Sequence, residues 1–177
     1  MSEKMGSSII TSRVRKDVKM KLEAESKSKN VTLNSLIGQV LSKHVDWDRF
    51  TEDVGFAFMS KVDLKAFLDL IPQKQIEKIA QTQGKDAMKS TIGFIQGEFN
   101  FENFIIILDL WLGATNVRFR HITTTDGEKF IVQHDMGKNW SLYLATLVET
   151  ISWDLNYGVS KKIISGQNVS FEIKKVD

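Results

Sequence analysis

The chain has 177 residues, 42% of them apolar and 26% charged, an ordinary globular composition with material for one or two domains. It contains no cysteine, which excludes disulfides, thiolate metal sites and thiol nucleophiles. The net charge of +2 hides an uneven distribution: residues 1–49 hold ten Lys/Arg against six Asp/Glu, while the remainder is slightly acidic. A local basic excess of this kind favours contact with a polyphosphate.

The longest apolar stretch, Phe104 to Leu108 followed by Leu110 to Leu112, falls far short of the roughly 20 residues a membrane-spanning helix needs. Residues 1–30 are too charged for a secretory signal. A soluble, cytoplasmic protein with no membrane role is therefore expected.

In chain order, residues 1–8 are small and polar and should form a flexible arm. Ile9 to Arg15 reads as a short strand. Its alternation puts Ile10, Ser12 and Val14 on one face and Ile9, Thr11 and Arg13 on the other. Asp17 to Lys29 reads as a helix, and Leu33 to about Val45 as a second one with Leu36, Ile37, Val40 and Leu41 along one face. Asn30 tolerates the left-handed conformation that ends helices, and Thr32 is a good N-cap for the second helix. One strand and two short helices bury little surface alone, and neither metal nor disulfides are to hand. Association with a second copy, strand against strand as a two-stranded ribbon, is the physically preferred solution.

A two-stranded ribbon fits the major groove of DNA, where arginine can contact guanine and threonine a base edge or a thymine methyl. The start of the second helix leaves the backbone N–H groups of Leu33 and Asn34 at the positive end of its dipole, suited to a phosphate. The segment from Ile10 to Trp47, with Ile-Thr-Ser-Arg-Val-Arg-Lys-Asp-Val-Lys-Met-Lys-Leu and then Asn-Val-Thr-Leu-Asn-Ser-Leu-Ile-Gly-Gln-Val-Leu, resembles the ribbon-helix-helix family of Arc, MetJ and CopG-like regulators. The resemblance covers about a quarter of the chain and implies a dimeric, sequence-specific transcriptional repressor. It implies base reading by Thr11 and Arg13, with Ile9 as a third position, and phosphate contacts from Arg15, Lys16, Thr32, Leu33 and Asn34. The first helix departs from the family in carrying Lys19 and Glu25 where apolar residues are common, so it should be only partly buried.

From residue 50 onward the pattern is that of an α+β domain with several helices and antiparallel hairpins. Phe56 and Phe58 suggest a strand. Helices are expected around Val62 to Leu70, Gln73 to Gln83 and Asp86 to Ile95, with Pro72 separating the first two. A buried helix should run from an Asn100 cap through Leu112. Asp126-Gly127 signals a type I′ hairpin between Val117 to Thr124 and Lys129 to Asp135. A helix over Trp140 to Asn156 and two strands, Val159 to Ile164 and Val169 to Lys174, complete the chain. The expected organisation is thus an arm over 1–8, a DNA-binding module over 9–48 and a sensor or oligomerisation domain over 50–177.

Three residues of the larger part are candidates for ligand contact. Turning the hairpin at Asp126-Gly127 makes His121 and His134 diagonal neighbours on one face, able to share a metal or an anion, although that face is otherwise a packing face and lacks a carboxylate. Lys138 lies in a strand-to-helix turn that could cradle an anion, against the plainer reading of a turn at Gly137 with Asn139 as N-cap. Trp111, Trp140, Trp153 and the phenylalanines at 94, 99, 101, 104, 119 and 130 could line an apolar effector pocket, or simply form core. No phosphate loop, paired carboxylates or nucleophile motif is present, so neither an enzyme nor a cofactor or metal is expected. The expected partners are double-stranded DNA, a second copy or a higher homo-oligomer, and an effector. The alternative is an antitoxin-like or scaffold protein whose C-terminal domain binds a protein partner.

Overall fold

A computed structural model describes residues 8–176. The expected arm therefore falls almost wholly outside the described residues. The chain divides into two compact units, Met1–Asp46 and Trp47–Asp177.

In the first unit, α1 spans Lys16–Ser28 and α2 spans Leu33–Asp46, and the two pack against each other. The stop between them is the one expected: Asn30 adopts φ +54°, a conformation that costs asparagine less than most residues. The Thr32 Oγ1 atom accepts the Ser35 N–H at 3.1 Å, which makes it the N-cap of α2. Residues 8–15 precede α1 without forming a strand. A strand whose only partner is a symmetry mate has nothing to pair with in a single chain. The buried positions of the two helices are Ser26 and Leu36 alone.

The second unit is α+β. Its helices are α3 (Lys61–Asp69), α4 (Gln73–Ile79), α5 (Lys85–Gln96), α6 (Phe101–Ala114) and α7 (Gly137–Asp154). Its strands are β1 (Arg118–Thr124), β2 (Gly127–Gln133), β3 (Tyr157–Ile164) and β4 (Asn168–Lys175), in one antiparallel sheet ordered β1-β2-β4-β3. No strand forms around Phe56 and Phe58. Helix starts follow side-chain chemistry. Ser60 Oγ accepts the Asp63 N–H ahead of α3 and Asn100 Oδ1 accepts the Asn103 N–H ahead of α6. Pro72 separates α3 from α4. Asn116 and Asn156, at φ +51° and +65°, follow α6 and α7 as Asn30 follows α1. Between α4 and α5 the chain stays helical through one π turn, Ala80–Gly84.

One face of the sheet carries Phe130, Val132, Val169, Phe171 and Ile173, all buried, and α7 packs on it. The other side of α7 meets α3, α4 and the π turn, so the helix is covered nearly all round. This explains why apolar and small residues occupy so much of its circumference. At the sheet edge, β3 breaks register between Ser160 and Ile163, with Lys161 at φ +49°.

The hairpin turns one residue earlier than its Asp-Gly signal suggests. Thr124 pairs with Gly127 and His121 with Phe130, leaving Thr125 and Asp126 in the turn, neither with positive φ. Gly127 belongs to β2, and glycine is needed there for a different reason. A Cβ would sit 2.0 Å from the Ile173 carbonyl oxygen of β4.

Candidate functional site

The DNA-contact candidates of the first unit are all on its surface. Ile9, Thr11 and Arg13 are exposed, as are Lys16, Thr32 and Asn34, while Leu33 is half-buried. Arg15 is exposed and its guanidinium pairs with Asp17 at 3.2 Å. Helical geometry leaves the Leu33 and Asn34 N–H groups without intrahelical acceptors, and the Thr32 cap takes the Ser35 N–H instead of theirs. Along α2, Ile37, Val40, Leu41 and Val45 are exposed large apolar residues. Their spacing of i, i+3, i+4 and i+8 places them on one face.

In the second unit the two histidines share no partner. His121 projects from β1 toward α6. Its Nδ1 lies 2.7 Å from Asp109 Oδ2 and its Nε2 2.8 Å from Glu128 Oε2, and its ring stacks on Phe130 at 4.2 Å. The expectation that this face lacks a carboxylate is thus wrong twice over. Glu128 lies on the same face of β2, and Asp109 reaches it from a helix that no strand register could reveal. The signal was the lone acid in an apolar helical run, since even a half-buried carboxylate gains from a partner. Burial holds the Asp109 carboxyl above its ordinary range against the opposing pull of His121, and its Oδ1 has no partner among the described residues. The carboxylates occupy different ring nitrogens, so one ion could not replace the proton on a single nitrogen and meet both acids. No group of three His, Asp or Glu among the described residues is arranged to hold a metal.

His134 follows β2 and is buried. Its Nδ1 accepts the Met136 N–H at 3.2 Å, so Nε2 carries the proton and donates to Ser141 Oγ at 2.6 Å. Ser141 in turn donates its hydroxyl proton to the Ser165 carbonyl at 2.7 Å. The relay ties the end of β2 to α7 and to the β3–β4 turn, leaving the imidazole no capacity for a ligand. Burial lowers its pKa.

Lys138 is exposed in the first turn of α7. Asn139, expected as the N-cap of that helix, instead lies inside it and donates from Nδ2 to the Leu68 and Ile71 carbonyls at 2.7 and 2.8 Å. It thereby ties α7 to the chain just past α3, where the Leu68 carbonyl already accepts the Ile71 N–H. The Asp69 carboxylate lies against Gly137, 3.2 Å from where a Cβ would be, so the protein places its own anion by the turn that was considered for a foreign one.

Of the aromatic residues weighed as a pocket lining, Phe104, Phe130 and Trp140 are buried core, Phe94 and Trp153 are exposed, and Trp111 borders a small cavity. That cavity holds about 80 Å³ and lies within the second unit. No protein-family model matches the chain, and none of the curated proteins or solved structures compared with it does so. No helix among the described residues is long and apolar enough to cross a membrane.

Proposed function

We propose that the protein is a sequence-specific DNA-binding regulator, a repressor acting as a ribbon-helix-helix dimer. The observation that carries this reading is the unpartnered apolar face of α2, Ile37, Val40, Leu41 and Val45, in a unit too small to close a core alone. A second copy placed against that face would bring the two Ile9–Arg15 segments together as the ribbon. Ile10 and Val14, exposed in the single chain, would then turn inward. Thr11 and Arg13, with Ile9, read base edges, while Arg15, Lys16 and the Thr32–Asn34 helix start hold phosphates. The second unit binds an effector or supports assembly and carries no catalytic role.

The test is selection of genomic DNA fragments by the purified full chain across a salt series, beside Arg13→Ala. Selective enrichment is expected, with Arg13→Ala losing about 1–3 kcal/mol of discrimination, the worth of one good bidentate base contact. Absence of salt-sensitive binding by the dimer sinks the reading. A second reading, a protein-docking function for the second unit, is favoured by the exposed Phe58, Val62, Phe67 and Leu70 before and along α3. It requires a stoichiometric partner that Val62→Glu releases.

A further inference from the structure

The sheet of the second unit has one face packed on α7 and the other open to solvent. Successive side chains of a strand alternate between faces. Because Phe130 and Phe171 point into the core, Arg118 and Arg120 of β1, Lys129 of β2 and Lys174 of β4 point the other way, with Ile122 and Ile131 between them. Lys161, at the register break of β3, reaches the same face, its Nζ 2.9 Å from Glu172 Oε2.

These five cations are a local concentration, because the second unit as a whole is slightly acidic, with 15 Lys/Arg against 17 Asp/Glu over 47–177. Glu172 is the one acid at an outward position of the four strands, and it serves two lysines at once, Lys129 at 3.3 Å as well as Lys161. Lys174 meets Asp126 of the hairpin turn at 3.4 Å, a solvent-exposed pair of the kind that contributes little. Arg118 and Arg120 are exposed and have no ion-pair partner among the described residues. The face therefore keeps an excess of positive charge, greatest along β1.

We propose that this face binds the sugar-phosphate backbone of duplex DNA without regard to sequence, with Arg118 and Arg120 as its principal contacts. The choice of DNA rests on the regulator reading above; the charge of the face does not. Arg118 and Arg120 lie roughly 7 Å apart along β1, far enough for each to take its own phosphate from a strand carrying one charge per about 3.4 Å of axis. No aromatic residue stands at an outward position of the strands, so the face lacks the stacking platform that single-stranded nucleic acid uses. Ile122 and Ile131 are 36% and 41% exposed, which leaves little apolar surface beside the arginines to enter a lipid layer.

The test is binding of the full chain to a selected fragment and to a duplex of scrambled sequence, from about 50 to about 200 mM NaCl. Each phosphate contact steepens the fall of log affinity with log salt by about 0.9. Arg118→Ala with Arg120→Ala should therefore flatten that slope by about 1.8 on both duplexes, in a protein that still melts cooperatively. Arg118→Lys with Arg120→Lys should restore it, because lysine binds phosphate as a point charge. Lys74→Ala with Lys78→Ala removes the same charge from exposed positions on α4 and should leave the slope as it was. An unchanged slope in the arginine-to-alanine pair, or an equal change in both alanine pairs, overturns the face. If a fragment is still selected, that result defeats this inference alone. Unselective binding whose slope the arginine pair flattens upholds the face and defeats the regulator reading; no binding to either duplex defeats both. Capture of the chain by phosphatidylglycerol vesicles but not by duplex, lost in the arginine-to-alanine pair, identifies a lipid surface and overturns DNA as the occupant.

Discussion

The two units treat their apolar residues in opposite ways. In Trp47–Asp177, Phe104, Ile107, Leu108, Phe130, Leu144 and Phe171 join one continuous buried cluster, and a helix is enclosed between a sheet and three other helical segments. In the first unit, Leu36 is the one apolar side chain of the two helices that is buried, while Ile37, Val40, Leu41 and Val45 face outward. The larger unit closes its own core, whereas the smaller leaves an apolar helix face exposed; on the dimer proposed above, its stability would depend on protomer concentration.

Breaking each core tests that contrast. Phe130→Ala, at a fully buried position, should cost about 3–5 kcal/mol, seen as a lower denaturation midpoint that does not vary with protein concentration. Val40→Glu combined with Leu41→Glu should leave that midpoint in place yet shift sedimentation from dimer to monomer. At about 1.5–3 kcal/mol for each apolar side chain buried, association should weaken by about a hundredfold or more. His121→Phe keeps a ring stacked on Phe130 but removes the partner of both the Asp109 and the Glu128 carboxylates, at a cost of about 1 kcal/mol or more near neutrality, the Asp109 share being reduced by its partial exposure. The raised pKa of Asp109 means that this loss should shrink on acidification, as the stranded acid takes up its proton. A destabilisation that is flat with pH would show that the carboxylate is not the cause.

The smallest effect is a slope. His134 has a folded pKa below its unfolded value, so the unfolded chain binds the extra proton first as pH falls. Stability is full above about 6.5, the ordinary histidine value, and declines as pH drops toward the lowered folded one. His134→Asn should flatten this part of the stability profile, measured by urea unfolding from about pH 7.5 down to about pH 5, a range that brackets the ordinary histidine titration.

How much of this was legible depended on whether the cause was local. Asn30, Thr32 and Asn100 act on their own backbone neighbours, and the α1–α2 stop and the α6 start lie where those residues place them. The hairpin was recognisable, but its register was not. Gly127 is a glycine because of Ile173, 46 positions further along the chain, whereas the turn signal assumed that it served its own backbone. The same blindness applied to the site around His121. Alternation along β1 and β2 predicts which residues share a face, but it cannot predict a carboxylate descending from α6. Asn139 was misplaced for a like reason: its amide ties α7 to the chain just past α3, a long-range contact that no local cap rule contains.

The broken register in β3 bears on how the protein could assemble wrongly as well as correctly. A sheet with two regular edges can add strands at both and grow into a fibre. Here the β3 edge is spoiled by the kink at Lys161 and by the charges of Lys161 and Lys162, and β1 is the regular edge that remains. Edge-to-edge pairing through β1 would consume the one competent edge of each molecule and stop at two. The bulge therefore acts as a chain terminator, capping unwanted sheet growth at a closed pair.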